Sequence, residues 1–255
     1  MPSGVEAERQ EREKIMLFSV RKIVSFGSLV LGLVQGLGVS DSRAAVVTFQ
    51  PAVQANGSTG VTFDVPYTFG THKGRALSWS GSANIDLADN TVMNGKFMVP
   101  LDQMTTGNDS RDCHMREALG LDYARSSYPE GGHLCDSKHR LPESGDNAIQ
   151  YPNIEFELTA LKGADGQTLA PVLVPGQTSD MLAVGTWTIH GVTQSSMVAI
   201  KVTPATDGSG RVRVKGRFVL SMASFQAEVL SFLGVNIKDQ IRVALDVELV
   251  PAVSQ

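Results

Sequence analysis

The sequence predicts an all-β fold: a sandwich or barrel of about eight short antiparallel strands with one or two short helices. Three observations carry this. Apolar and polar residues alternate with a period of two in segment after segment beyond Val61. Turn-forming clusters separate those segments, at Asp89-Asn90, Gly163 to Gly166, His190-Gly191 and Asp207 to Gly210. Only two stretches show helical spacing. A period of two gives a strand one wet face and one apolar face. Eight strands are also the number that closes a barrel with room for one small ligand.

In chain order, Phe97, Val99 and Leu101 alternate first, and Ile154, Phe156 and Leu158 follow around Glu155 and Glu157. Val198, Ile200 and Val202 come next. Val212, Val214, Phe218 and Leu220 then alternate with Arg211, Arg213, Lys215 and Arg217, with a register break expected near Gly216. The clearest strand is the last: Ile241, Val243, Leu245, Val247 and Leu249, interleaved with Arg242, Ala244, Asp246 and Glu248. The first helical stretch is Asp109 to Leu121, with Met115, Ala118 and Leu119 on one side. The second is Ser224 to Leu233, where Phe225, Val229, Phe232 and Leu233 recur at spacings of three and four. Ser224 is placed to cap its start and Gly234 to end it.

The N-terminal part reads as a leader. Arg21 and Lys22 precede an uncharged run from Ile23 to Val39, and Ser42-Arg43-Ala44 offers small residues where signal peptidase reads. Cleavage before Ala45 is expected; the competing reading is a membrane anchor, for which the run is short and weakened by its glycines and Gln35. Residues 1–44 are then an N-terminal extension plus signal peptide, and residues 45–255 form one domain that is periplasmic or secreted. The extension Met1 to Ile15 is unusually acidic for a leader, and Met16 is an alternative start. No second long apolar run occurs, so no membrane span is expected after cleavage. The net charge of −4 and pI of about 5.7 argue against a nucleic-acid partner.

Four motifs, in order, resemble those of the YceI-like proteins. Thr105-Thr106-Gly107-Asn108 with Arg111-Asp112-Cys113-His114-Met115-Arg116 is similar to that family's Thr-Gly and Arg-Asp-x-His signature. Tyr151-Pro152-Asn153-Ile154-Glu155-Phe156 resembles its Tyr-Pro strand. Gly185 to Thr193 (GTWTIHGVT) resembles its Ile-His-Gly-Val-Thr hairpin, and Ile237-Lys238-Asp239-Gln240-Ile241 its last strand. The resemblance runs from about Val61 to Val250. It implies a lipocalin-like barrel of eight strands with a helix. It also implies a periplasmic or secreted protein whose apolar tunnel holds an isoprenoid quinone, polyprenyl or other long-chain lipid.

One departure stands out. The strand-like Tyr151-Pro152 comes well after Tyr128-Pro129, so Glu130 to Gln150 reads as an inserted loop at one barrel end. The only two cysteines, Cys113 and Cys135, lie at the motif helix and in this loop. In an exported chain such a pair reads as a disulfide. The alternative is a zinc-type site from Cys113, His114, His133, Cys135 and His139, but the spacing fits no standard finger and no metal is expected. Arg111 and Asp112 are expected to form an ion pair that holds the helix to the barrel.

No catalytic motif is present. Gly-x-Ser-x-Gly, a P-loop and His-Glu-x-x-His are all absent, and Asp86 and Asp89 lack calcium-loop spacing. The chain reads as a non-enzymatic binding protein without a cofactor beyond a bound lipid. The expected ligand-facing residues are Phe97, Val99, Met115, Ile154, Phe156, Trp187, Ile189, Phe218, Leu220, Phe225 and Phe232. Arg111 and His114 are placed at the headgroup or mouth, and His190 at a hairpin tip. The alternative is a packed barrel whose pinned loop binds a protein partner. Exposed strand faces leave room for a homodimer.

Overall fold

The computed structural model describes residues 46–52, 58–228, 231–232 and 235–252, with backbone alone at 231, 232 and 235. The leader expected at residues 1–44 lies outside the described residues. Strands occupy β1 (Val46–Ala52), β2 (Val61–Tyr67), β3 (Gly70–Ala76), β4 (Ser80–Asp86), β5 (Thr91–Pro100), β6 (Met104–Thr105), β7 (Asn153–Gly163), β8 (Ser179–Ile189), β9 (Val192–Pro204) and β10 (Val212–Ser221). Two short strands, β11 (Ser231–Phe232) and β12 (Val235–Asn236), pair with each other, and β13 (Gln240–Pro251) ends the series. The helix α1 spans Asp109–Gly120, and 3-10 turns span Leu101–Gln103 and Ala223–Phe225.

The sheet closes. Its order is β1-β4-β5-β7-β8-β9-β10-β13, and β13 pairs back onto β1, which makes the expected eight-stranded antiparallel barrel. Closure removes the sheet edges that an open sheet exposes. The barrel is longer than one strand on one side. Residues 248–251 of β13 pair with β1, while Arg242–Leu245 pair with β2. From β2 the sheet continues through β3 to β6, at Ala76↔Met104. The strand positions of β1 and β2, and of β3 and β4, are therefore long positions broken once each.

The register break expected near Gly216 is absent: β10 pairs with β13 without interruption from Val212↔Leu249 to Ser221↔Gln240. Val214, Gly216 and Phe218 share one face, so the glycine is an inward position without a side chain. A real irregularity lies in β7, between Leu158 and Ala160 against β8.

The helix expected over Ser224 to Leu233 does not form. Ala223–Phe225 makes one 3-10 turn, Gln226 ends it with a left-handed φ of 55°, and Ser231–Phe232 is extended. Asp239 explains the tight turn. Its carboxylate accepts the Ala223 N–H and the Ser221 hydroxyl, both at 2.7 Å. Helical spacing of Phe225 and its neighbours is outweighed by this cap, which Asp239 supplies from just before β13.

The barrel interior contains two apolar clusters. One, around Phe49, Leu158, Met181, Val198, Ile200 and Val212, fills the end nearest β1. The other gathers Phe63, Leu101, Met104, Leu119, Ile189 and Phe225 near α1.

Candidate functional site

Helix α1 is laid against the barrel by its own first turn. The Asn108 side chain accepts the Arg111 N–H at 3.0 Å and caps the helix. Asp112, buried at 5% exposure, accepts the Thr105 hydroxyl, the Thr106 N–H and the Thr106 hydroxyl at 2.6–2.7 Å. The expected Arg111–Asp112 ion pair is not formed: neighbours along a helix point apart, and the Asp112 carboxylate turns to Thr105 and Thr106. Arg111 instead donates to the Thr106 hydroxyl at 3.2 Å and meets His72 Nδ1 at 3.0 Å. Burial, and then the Arg111 charge, lowers the His72 pKa.

The hairpin residue His190 is buried beneath the helix end. Its Nε2 lies 2.7 Å from the Leu121 carbonyl and its Nδ1 3.3 Å from that of Phe225. The turn needs positive φ at both His190 (51°) and Gly191 (73°), which is the two-residue hairpin geometry. Tyr151 packs over this turn, and a β-carbon at Gly191 would lie 2.6 Å from its ring. Gly185 has a similar reason. A β-carbon there would lie 2.1 Å from the Glu157 carbonyl oxygen and 2.8 Å from the Phe156 ring.

Cys113 and Cys135 form a disulfide. It ties α1 to the long irregular segment after Leu121, so neither thiol is available to a metal. Beside it, Glu117 is fully buried on α1. One oxygen accepts the Leu134 and Cys135 N–H groups at 2.5 and 3.0 Å. The other meets His114 Nδ1 at 2.8 Å and His133 Nδ1 at 3.3 Å. Burial alone pushes the Glu117 carboxyl up. Hydrogen bonds from His114 and the two amides, with the His114 charge, outweigh burial and hold it below the usual carboxylate range.

Between the packed cluster and α1 lies a cavity of about 660 Å³, within the range of small-molecule sites. Phe97, Val99, Met115, Ile154, Phe156, Trp187, Ile189, Phe218 and Leu220 all line it. Arg111 and His114 line it too, beside His72, Thr106, His133 and Glu228, and these polar groups gather around α1. Phe225 is buried in the cluster near α1 and is not on the wall. The side chain of Phe232 lies outside the described residues. Phe63, Val65, Trp79 and His72 also stand on the wall, and Glu117 meets His114 beside it, none of them expected there. Alternation in β2 signals Phe63 and Val65. Glu117 is signalled only by its i,i+3 spacing from His114. Trp187 Nε1 is buried without a hydrogen-bond partner.

A closed antiparallel barrel that keeps an apolar cavity beneath a polar, disulfide-tied end is a lipocalin-like cavity barrel. Residues 146–249 match the family model described as YceI-like domain, which bears out the resemblance carried by the motifs. The match contains the Tyr151, Gly185 and Ile237 motifs and begins after the Thr105–Arg116 motif.

Among solved structures, a polyisoprenoid-binding domain from Saccharophagus degradans is 14% identical. The match covers 82% of this chain and 100% of that one, with a TM-score of 0.50. BcnA from Burkholderia cenocepacia is 15% identical over 77% of this chain and 99% of that one, at TM-score 0.49. The YCEI protein of Campylobacter jejuni is 16% identical over 72% and 86%, at 0.45. At 14% identity the first of these speaks for the fold alone. No curated protein sequence matches the chain.

Proposed function

We propose that the protein is an exported, non-enzymatic carrier that holds one long apolar ligand inside the barrel. The ligand class is an isoprenoid quinone, a polyprenyl compound or another long-chain lipid. The observation that carries this reading is the cavity: about 660 Å³, walled by aromatic and aliphatic side chains, with polar groups confined to the α1 end. A flexible hydrocarbon entering it gains about 0.8 kcal/mol per buried methylene. A polar headgroup would lie by Arg111, His72 and His114, where donors are already oriented by Thr106 and Glu117. The polyisoprenoid-binding activity of the Saccharophagus degradans domain supports the same ligand class.

Export is supported by the disulfide, which persists in oxidising compartments, and by the signal-like sequence before Ala45. Among the described residues no helix is long and apolar enough to cross a membrane.

Organic extraction of the purified protein, followed by mass spectrometry, tests the reading. A stoichiometric isoprenoid or long-chain lipid is expected. A protein that is empty, and that takes up neither isoprenoid nor acyl ligands, overturns it.

A further inference from the structure

The polar end of the cavity has a feature that lipid carriage does not require. Two imidazoles converge on one carboxylate oxygen. Glu117 Oε1 is held by the Leu134 and Cys135 amides, which leaves Oε2 aimed at His114 Nδ1 (2.8 Å) and His133 Nδ1 (3.3 Å). The three donor atoms lie within 4.8 Å of one another. With metal–ligand bonds of about 2.1 Å, neighbouring ligands stand about 3.0 Å apart in an octahedral shell and about 3.4 Å apart in a tetrahedral one. Both nitrogen-to-oxygen separations fall in or near that range. We propose that His114, Glu117 and His133 form a binding site for one divalent transition-metal ion at the polar end of the cavity.

The site is built and not a chance meeting of surface groups. Glu117 and His114 sit one turn apart on α1, and Glu117 is fully buried. His133 comes from the loop, and the Cys113–Cys135 disulfide joins the two segments next to the ligands. The amides that fix Oε1 orient the carboxylate, as outer groups do around bound metals. Two imidazoles and a carboxylate suit zinc, cobalt, nickel or copper better than magnesium or calcium, which prefer all-oxygen shells. Three protein ligands leave at least one coordination position open. His114 and His133 both line the cavity, so a metal held between them borders it.

The test uses the untagged chain with its disulfide intact, treated with EDTA and titrated with Zn²⁺ by calorimetry. One equivalent is expected. His114→Ala and His133→Ala should each weaken binding at least ~10-fold. His139→Ala, in the same loop but outside the cluster, should bind like the parent. His133 is exposed, so its variant keeps the fold, which far-UV circular dichroism checks. Cobalt(II) titration supplies a second readout: a visible absorption band that both ligand variants lose. The proposal is overturned if the parent binds no zinc, if both ligand variants retain its affinity, or if His139→Ala loses as much as they do. Lipid extracted from the same preparation is a separate measurement, so failure of one reading leaves the other standing.

Discussion

The Asp112 carboxylate accepts both the backbone N–H and the hydroxyl of Thr106, at 2.7 and 2.6 Å. Its other oxygen accepts the Thr105 hydroxyl at 2.7 Å. One buried side chain therefore closes the turn between β6 and α1 and fixes the helix that carries Arg111, His114 and Glu117.

Removing that carboxylate should loosen the whole polar end. Asp112→Ala strands three donors and is expected to cost about 3 kcal/mol, while Asp112→Asn keeps one acceptor and should cost about half as much. Urea denaturation of the two variants measures this. Equal, negligible costs would mean that the Thr105-Thr106 turn holds itself.

Tyr123 provides a pH dependence. Its hydroxyl donates to the Ala118 carbonyl and accepts the Glu228 N–H at 2.8 Å, and burial pushes its pKa up to about 12. The folded value exceeds the ordinary phenol value of about 10. Its contribution is therefore fully present below pH 10 and is lost as the pH rises through about 12. Absorbance at 295 nm should show delayed ionisation of a tyrosine that Tyr123→Phe removes.

The disulfide closes a 22-residue separation. In the chain-entropy model, replacing both Cys113 and Cys135 with alanine costs about 3 kcal/mol. Hydrogen exchange should also quicken at the amides of positions 134 and 135, which Glu117 holds only while the loop stays docked. Unchanged protection there would show that Glu117 pins the loop without the bond.

Gly185→Ala forces a β-carbon against the Glu157 carbonyl and the Phe156 ring. Backbone cannot yield as a flexible side chain does, so the expected loss is about 2 kcal/mol or more, read as a lowered thermal midpoint. A neutral outcome would mean that β7 can shift at its Leu158/Ala160 irregularity.

Trp187 reports on the cavity. In a Trp79→Phe background, a brominated long-chain lipid should quench its fluorescence, because its ring lies on the wall between Phe156 and Phe218. Lipid that binds without quenching would place the occupant elsewhere.

Much of this was legible in the chain. Alternation marked β7, β9, β10 and β13, because a half-buried strand imposes a period of two on its sequence. The motif glycines were legible as motif, and their reason is local: Gly191 needs a positive φ beneath Tyr151, and Gly185 a backbone contact. Eight aromatic and aliphatic residues chosen by parity line one cavity, with Met115 from the helix beside them. The helix at Ser224 was misread because its competitor, Asp239, sits far along the chain and becomes a cap only once β10 and β13 pair.

By itself the sequence determined the strand class, the inward-facing residues and the cysteine pair, since periodicity and composition are properties of neighbours along the chain. Periodicity cannot distinguish a filled interior from a hollow one. The tertiary structure decided that one end is packed around Phe49 and Leu158 while the other stays open beneath α1. It also decided that Glu117 meets both His114 and His133, because only the docked loop brings residue 133 to the helix. Volume and convergence depend on distances between segments remote in sequence, and no one-dimensional pattern records them.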